Sequence, residues 1–428
     1  MAVSAALPTA ARDLHGIAAY GWAFSGFLVA SVVGMVLAGQ ISDSAGPRLP
    51  LAVGLVAFAA GLALAGTATW MPQLIAGRVV QGLGSGLLIT ACYVVIGECY
   101  ADEVRPRLFA AISSAWVVPS LVGPLLSGAV TQHLSWRWVF LGLLPFVVLG
   151  SILMVPTLRG LAPHGRRATA LARPGRIVHA IAVAAGIVAL ERAGQHLGLP
   201  SIALAVVGLA ALLWGLRTLL PAGTFTLRRG TPAPIAMRGL LAGAFFGVES
   251  VIPLALTVQH GFGATEAGLP LACSGVTWAI GSYVQGRPPR GDEDRHRVRL
   301  VRYGMALIAL AVMLVAVAVH PGAPGWLMYP AWGIAGFGAG LALSTVSVLL
   351  LKYTNDRDRG SDSAALQLAD ATGSAFTTGL AGVLVAAAAR VAIGYTAAFT
   401  ILALGMAALA VLGSTAAGRL RAPAPPGR

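Results

Sequence analysis

Charge is what this chain has least of. Of its 428 residues 10% are Asp, Glu, Lys or Arg, 57% are hydrophobic, and the mean hydropathy is +0.81. Soluble domains carry about 25% charged residues, so a water-soluble globular protein is excluded and an integral membrane protein is expected. Lysine is nearly absent, Lys352 in LLLKYT standing alone. A phosphate-cradling loop G-x-x-x-x-G-K-[ST] needs its lysine after glycine, so ATP-driven transport is excluded. Cysteine is scarce as well. Cys92, Cys99 and Cys273 form no even framework and no metal-ligand spacing, which removes a disulfide scaffold and a metal centre. Cys92 and Cys99 read as small packing residues. Net charge is +14, but the arginines sit in loops between apolar runs, so no nucleic-acid partner is expected.

Apolar runs are what remains. Thirteen are long enough to span: 20–40, 50–69, 73–98, 108–131, 138–156, 177–193, 199–220, 234–258, 264–285, 300–319, 326–350, 362–388 and 391–414. Several exceed the hydrocarbon thickness and are expected to tilt. Before them stands MAVSAALP, eight residues where a spanning helix needs about 20. It lacks the basic flank of a signal peptide and reads as the end of a first span whose beginning is expected upstream. Counting this stub as span 1, and placing the loop after span 2 on the inner side, puts 24 of the Lys and Arg residues in inner loops and tail and 4 in outer loops, with Arg78 inside a span. That is the positive-inside pattern. It places the C-terminus in the cytoplasm and the protein, multi-pass, in the inner (plasma) membrane.

The chain repeats itself. With an offset of 254, Gly82, Gly84, Gly86 and Leu87 fall on Gly336, Gly338, Gly340 and Leu341, Asp102 on Asp356, Arg105 on Arg359, and Gly128 on Gly382. Spans 4–5 and 12–13 are therefore one unit used twice, which points to two parallel six-helix halves and alternating access rather than a channel.

The loop GQISDSAGPRLPL carries Gly39, Asp43, Gly46, Arg48 and Leu51 at the spacing G-x-L-A-D-basic-x-G-basic-basic-x-x-L, with Ser44 and Pro47 replacing two basic positions. Span 4 reads LIAGRVVQGLGSG, with Arg78, Gln81 and Ser85 on one face. Span 5 reads PSLVGPLLSG, with Gly123, Pro124 and Gly128 close to G-x-x-x-G-P-x-x-G-G. The opening A-L-P-T-x-A-x-D-L and the run WRWVF from Trp136 to Phe140 complete the set. These stretches resemble the major facilitator superfamily, in its fourteen-span drug:proton antiporter branch. The resemblance implies an all-α integral membrane protein with residues 1–156 as an N-terminal bundle, 157–233 as an inner basic loop and inserted spans 7 and 8, 234–415 as a C-terminal bundle and 416–428 as a tail. It implies that Gly39, Asp43, Gly46, Arg48, Gly123, Pro124 and Gly128 serve conformational change, and that Arg78 serves proton coupling. The acid that the family carries earlier in helix 1 has no counterpart here.

Two acids lie mid-membrane, Glu249 in span 9 and Asp370 in span 13, each eleven residues past an arginine, Arg238 and Arg359. Both carboxyls then sit about 16 Å from the inner boundary, near the midplane of a ~30 Å core. A carboxylate there is costly when charged and takes up a proton readily. Pro253 denies a hydrogen bond to the carbonyl of Glu249 and is expected to kink span 9. Glu249 is read as the proton carrier and Asp370 as lining the substrate path, with the exchange of roles left open. Ser363, Gln367, Asp370, Ser374 and Thr377 recur at steps of 4, 3, 4 and 3 along one face. Gln367, Ser374, Thr377, Gln81 and Ser85 are candidates for the substrate cavity, with interhelical hydrogen bonding as the alternative.

At the loop, Asp43 is expected to cap or pair with a neighbouring helix end, with Arg48 as its nearest basic partner. Spans 7 and 8 are expected at the periphery, away from the cavity. The leading function is proton-coupled export of amphipathic small molecules by a monomer that needs no cofactor beyond a proton gradient and has no enzymatic activity. An exporter or importer of one metabolite or lipid, and a non-transporting relative, remain open.

Overall fold

Small residues decide how closely apolar helices approach in this chain, and they do so twice. The computed structural model describes residues 2–16, 19–115, 123, 126–127, 129–160, 174–193, 199–288, 292–390 and 394–421. Every regular element among them is helical. The first half comprises α1 (Ala2–Asp13), α2 (Tyr20–Ala45), α3 (Arg48–Gly66), α4 (Met71–Cys99), α5 (Arg105–Ala115), α6 (Arg137–Leu141) and α7 (Leu144–Gly160). Then come α8 (Pro174–Ala193) and α9 (Leu199–Leu219). The second half comprises α10 (Pro232–Glu249), α11 (Ile252–His260), α12 (Ala264–Gln285), α13 (Glu293–Ala318), α14 (Met328–Tyr353), α15 (Arg359–Arg390) and α16 (Gly394–Ala416).

Ten helical segments among the described residues are long and apolar enough to cross a bilayer. The more polar α8 and α12, 20 and 22 residues long, also reach about 30 Å. The span expected at 108–131 opens as α5, and much of its remainder lies outside the described residues.

Local chemistry sets the helix ends. Gly46, at φ 86°, turns the chain between α2 and α3 in a conformation that a Cβ disfavours. Pro72 sits in the first turn of α4, where no N–H is needed. Asp292 accepts from the Arg295 amide at 3.1 Å and, with Glu293 and Asp294, places negative charge at the start of α13. The kink expected at Pro253 is present: α10 stops at Glu249, and α11 begins at Ile252 with Pro253 in its first turn.

The sequence repeat is also a repeat of contacts. Gly86 of α4 lies on the backbone of Ser31 and Met35 in α2, and Gly340 of α14 lies likewise on Trp278 and Ser282 in α12. A side chain at either glycine would strike backbone, so these crossings require glycine. The largest buried cluster joins Val32, Val36, Tyr93, Ile96 and Phe109 of the first half to α10–α16. Apart from Val32, midway along α2, these lie toward the end bearing the Gly39–Leu51 loop, called here the arginine-rich face. Toward the opposite end, α1, α3, α4 and α6 bury Leu7, Leu62, Leu74 and Phe140 in a separate cluster of their own. The halves are thus packed together at the arginine-rich face.

The helices α8 and α9 pair closely, Gly186 standing against Gly208 and Leu212. The expectation of a peripheral pair holds for α9, whose Ile202, Val206 and Val207 are exposed. It fails for α8, which lies across α2 and α15: Arg192 sits 4.9 Å from the Trp22 ring, and Leu190 adjoins Gly379. The reason is composition, since small Ala180, Val183 and Ala184 let one face of α8 bury in the common core.

Candidate functional site

The site is built first where α2 meets α15. A Cβ at Gly39 would stand 2.7 Å from the Gly360 carbonyl and 2.9 Å from the Ala364 Cβ. One turn on, Asp43 accepts hydrogen bonds from the backbone amides of Gly360 at 2.6 Å and Ser361 at 2.9 Å. First-turn amides of a helix have no partner within it and carry partial positive charge. A carboxylate of the first half thus caps a helix of the second. Arg48 is not its partner: it begins α3 with its side chain exposed, and both carboxylate oxygens are taken by the nearer amides.

The repeat-related seam lies between α12 and α5. Gly286 approaches Pro106 and Ala110, the counterparts of Gly360 and Ala364, with a Cβ placed 3.4 Å from Ala110 Cβ. Here Gln285 Nε2 donates to the Pro106 carbonyl at 2.9 Å. Behind both seams an arginine closes a repeated turn. Arg105 pairs with Asp102 and donates to the Gly97 and Tyr100 carbonyls at 2.6 and 3.0 Å, capping the end of α4. Arg359 pairs with Asp356 at 2.8 Å.

Deeper in, the structure corrects the reading of Arg238. It is not a surface arginine but lies two turns inside α10, its side chain 11% exposed. Its Nε donates to Asp370 Oδ1 at 2.6 Å, and Nη1 donates to the Leu343 carbonyl and Ser347 Oγ, each at 3.2 Å. Tyr93 of the first half lies close enough to act on it electrostatically. A buried ion pair needs such extra hydrogen bonds to offset desolvation.

Glu249 and Asp370 do not share a depth. Helices α10 and α15 run parallel, with Gly239 against Ala369 and Gly243 against Gly373. Asp370 is therefore level with residue 240, and Glu249 lies nine residues, about 13 Å, further along. The equal-depth expectation treated Arg238 and Arg359 as surface markers, and only Arg359 starts a helix. Half-buried Glu249 closes α10 one turn beyond Phe245 and Phe246. These rings cluster with Trp278 and Trp332, Phe245 stacking on Trp332 at 4.8 Å. No charge among the described residues offsets the burial of Glu249.

Along the polar face of α15 the hydroxyls bond within their own helix. Ser374 Oγ donates to its own helix at Asp370 O, 2.7 Å away, and Thr377 Oγ1 to Gly373 O at 3.0 Å. Thr377 also fills the space beside Gly243 and Gly247 of α10. Small hydroxyl side chains satisfy themselves on the preceding turn, which lets α10 and α15 close on each other. Gln367 is buried with Ser363.

Arg78 is buried, 6% exposed, and does not reach the surface. Nε donates to the Ala23 carbonyl at 3.2 Å and Nη1 to Gln81 Oε1 at 2.5 Å, with the guanidinium 4.2 Å from the Phe27 ring centre. Gln81 is thereby engaged by Arg78, and Ser85, half-buried, continues the same face of α4. At the opposite end, two of the sequence stretches meet. Asp13 accepts from Trp136 Nε1 at 2.9 Å and Arg137 Nη1 at 3.2 Å. Of the span 5 residues, Gly123 is half-buried, and Pro124 and Gly128 lie outside the described residues.

Sequence reasoning missed the Arg238 node and the aromatic cluster. A signal for the first was present: Pro232 and Pro234 mark a helix start, which puts Arg238 inside it.

Known proteins agree with this architecture. The Major Facilitator Superfamily model matches residues 1–290, more than half of the chain, and the chain belongs to that superfamily. It is 26% identical over 368 residues to Multidrug resistance protein 3 of Bacillus subtilis, covering 84% of this chain and 70% of that one. It is 35% identical over 157 residues to an Acurin A biosynthesis cluster MFS-type transporter of Aspergillus aculeatus, covering 37% of this chain and 28% of the relative. The crystal structure of the human organic anion transporter MFSD10 superposes with a TM-score of 0.67 at 17% identity, over 92% of this chain and 83% of that one, a likeness of fold. The chain spans only part of the length of most of these relatives, and it is a multi-pass membrane protein of the Major Facilitator Superfamily.

Proposed function

We propose that the protein is a proton-coupled exporter of amphipathic small molecules, working by alternating access in the plasma membrane with the arginine-rich face in the cytoplasm. The observation that carries this reading is the seam between α2 and α15: two halves meet there through glycine contacts and one carboxylate on a helix start, a contact that can be made and broken whole. The likeness to multidrug and biosynthesis-cluster transporters supports export of varied small molecules. The arginine excess at this face supports its cytoplasmic side.

Glu249 carries the proton. It is half-buried beside a helix break, with no cation among the described residues offsetting it, so its hydration changes as the halves rock. Asp370 is tied to Arg238 and acts with it as a charged pair near the closed seam, adjoining the substrate path. Arg78 and its Gln81 partner hold α2 and α4 in the proton-responsive half.

The test is transport by the full chain in proteoliposomes under an imposed pH gradient, with a panel of fluorescent amphipathic dyes. Glu249→Gln is expected to bind dye and to lose pH-driven movement by more than tenfold. Unaltered pH dependence in both Glu249→Gln and Asp370→Asn refutes the coupling assignment and moves it to Arg78.

A further inference from the structure

At the arginine-rich face a cavity of about 680 Å³ opens between the start of α8, the loop from α9 to α10 and the start of α15. Its walls carry Arg176, Arg228 and Arg229, with Thr231 and Ser361 supplying hydroxyls. None of the ion pairs among the described residues uses these three arginines. Two carboxylates line the same cavity. Asp362 is buried and accepts from Thr354 Oγ1 at 3.0 Å, and Asp358 is exposed. The guanidiniums therefore exceed the carboxylates by one, and the charge of Arg176 also acts on Asp362.

The loop that presents two of the arginines is built rather than slack. Gly223, Leu227 and Gly230 all have positive φ, at 92°, 49° and 100°. Thr224 Oγ1 donates to the Pro221 carbonyl at 2.7 Å, and the Arg228 amide to the Gly223 carbonyl at 3.0 Å. A left-handed leucine costs conformational energy and marks a constrained turn. Nearby, Trp214 on α9 and Phe225 in the loop are 52% and 59% exposed, as aromatic residues are at a membrane interface. A separate small pocket of about 10 Å³ shares Arg176 and Ser361 with the cavity and is lined also by Val36 and Gln40, beside the seam that Asp43 closes.

We propose that this cavity binds the phosphate group of a membrane phospholipid, with Arg176, Arg228 and Arg229 forking the phosphate oxygens. Planar guanidiniums match phosphate in two-pronged geometry, and basic pockets between spanning helices suit anionic headgroups. Because Ser361 belongs both to this cavity and to the capped start of α15, bound lipid favours the closed seam. The site stands on its own geometry and does not depend on the transport reading above.

The experiment titrates the detergent-purified full chain with short-chain phosphatidylglycerol and follows Tm. Wild type is expected to show a saturable rise in Tm. The double variant Arg228→Gln/Arg229→Gln is expected to need at least tenfold more lipid, and Arg228→Lys/Arg229→Lys to fall between. Short-chain diacylglycerol and inorganic phosphate at the same concentrations are expected to leave Tm unchanged. Superimposable titrations of wild type and the glutamine variant overturn the site. Equal protection by diacylglycerol overturns phosphate recognition, and protection by inorganic phosphate overturns the lipid as its source. Should the double variant melt early without lipid, Arg176→Gln, on a separate helix, carries the same comparison.

Discussion

The two seams at the arginine-rich face share a backbone and differ in chemistry. Where α2 meets α15, Gly39 presses on Gly360 and Asp43 caps the helix that Gly360 begins. Where α12 meets α5, Gly286 takes the place of Gly39, but Pro106 takes the place of Gly360 and has no N–H to offer. A carboxylate would find one fewer donor there, and Gln285 instead donates to the Pro106 carbonyl. The repeat copied the helix crossing, and among the described residues the electrostatic latch is seen only where α2 meets α15. Such asymmetry lets one seam be the strong, switchable contact and the other a weaker guide.

The sharpest way to break this comparison is steric. Gly39→Leu places a side chain on backbone at 2.7 Å and is expected to hold the α2–α15 seam open, lowering transport on the order of 100-fold. Gly286→Ala meets its nearest neighbour at 3.4 Å and is expected to transport within about twofold of wild type. Dye efflux from cells, normalised to membrane expression, reads both. Equal loss in the two variants would show that the seams bear equal load.

Next in size is the latch. Asp43→Asn removes the charge from two hydrogen bonds but keeps one carbonyl acceptor, so the closed seam loses roughly 2 kcal/mol, about 30-fold in its equilibrium. Gln285→Ala is expected to cost about 1 kcal/mol, near fivefold. Transport should fall in that order with membrane expression near wild type, and accessibility of a cysteine at Ala364 should rise more in the first variant. If Gln285→Ala impairs transport as much as Asp43→Asn, the latch is not one-sided.

The smallest effect is expected at the opposite end, where Asp13 is exposed. Hydrogen bonds from Trp136, then Arg137, hold its carboxyl below the ordinary value of 3.8. A depressed folded-state value means that the contact stabilises above the unfolded-state value and is lost as pH falls through the folded one. Asp13→Asn should therefore lower stability by less than about 1 kcal/mol near neutral pH. Its Tm difference from wild type should shrink as pH drops below about 4. A difference that grows in acid would contradict the assignment.

Much of the architecture was legible before any coordinates. The offset of 254 foretold that Gly86 and Gly340 would make the same crossing, because a glycine pattern in an apolar helix is a record of close packing. The loop around Asp43 was legible as a helix-end contact because a lone acid beside glycines at a membrane boundary has few other uses. Arg48 was assigned as its partner because sequence distance stood in for spatial distance, and the start of α15 lies more than 300 residues away in sequence while touching Asp43 in space.

The sequence by itself determined the class of environment and the duplicated glycine crossings, since these follow from hydropathy and glycine spacing along the chain. Tertiary structure alone decided which polar groups meet. Arg238 looked like a boundary marker until α10, α14 and α15 closed around it and gave it Asp370, Ser347 and a carbonyl. Ser374 and Thr377 could be placed on one face by their spacing, but only the structure shows their hydroxyls turned onto their own helix. The physical reason is that helical periodicity fixes which side chains share a face but leaves free what that face packs against. In a bilayer, where a buried polar group is costly unless it is partnered, the neighbouring helix sets which partners are within reach.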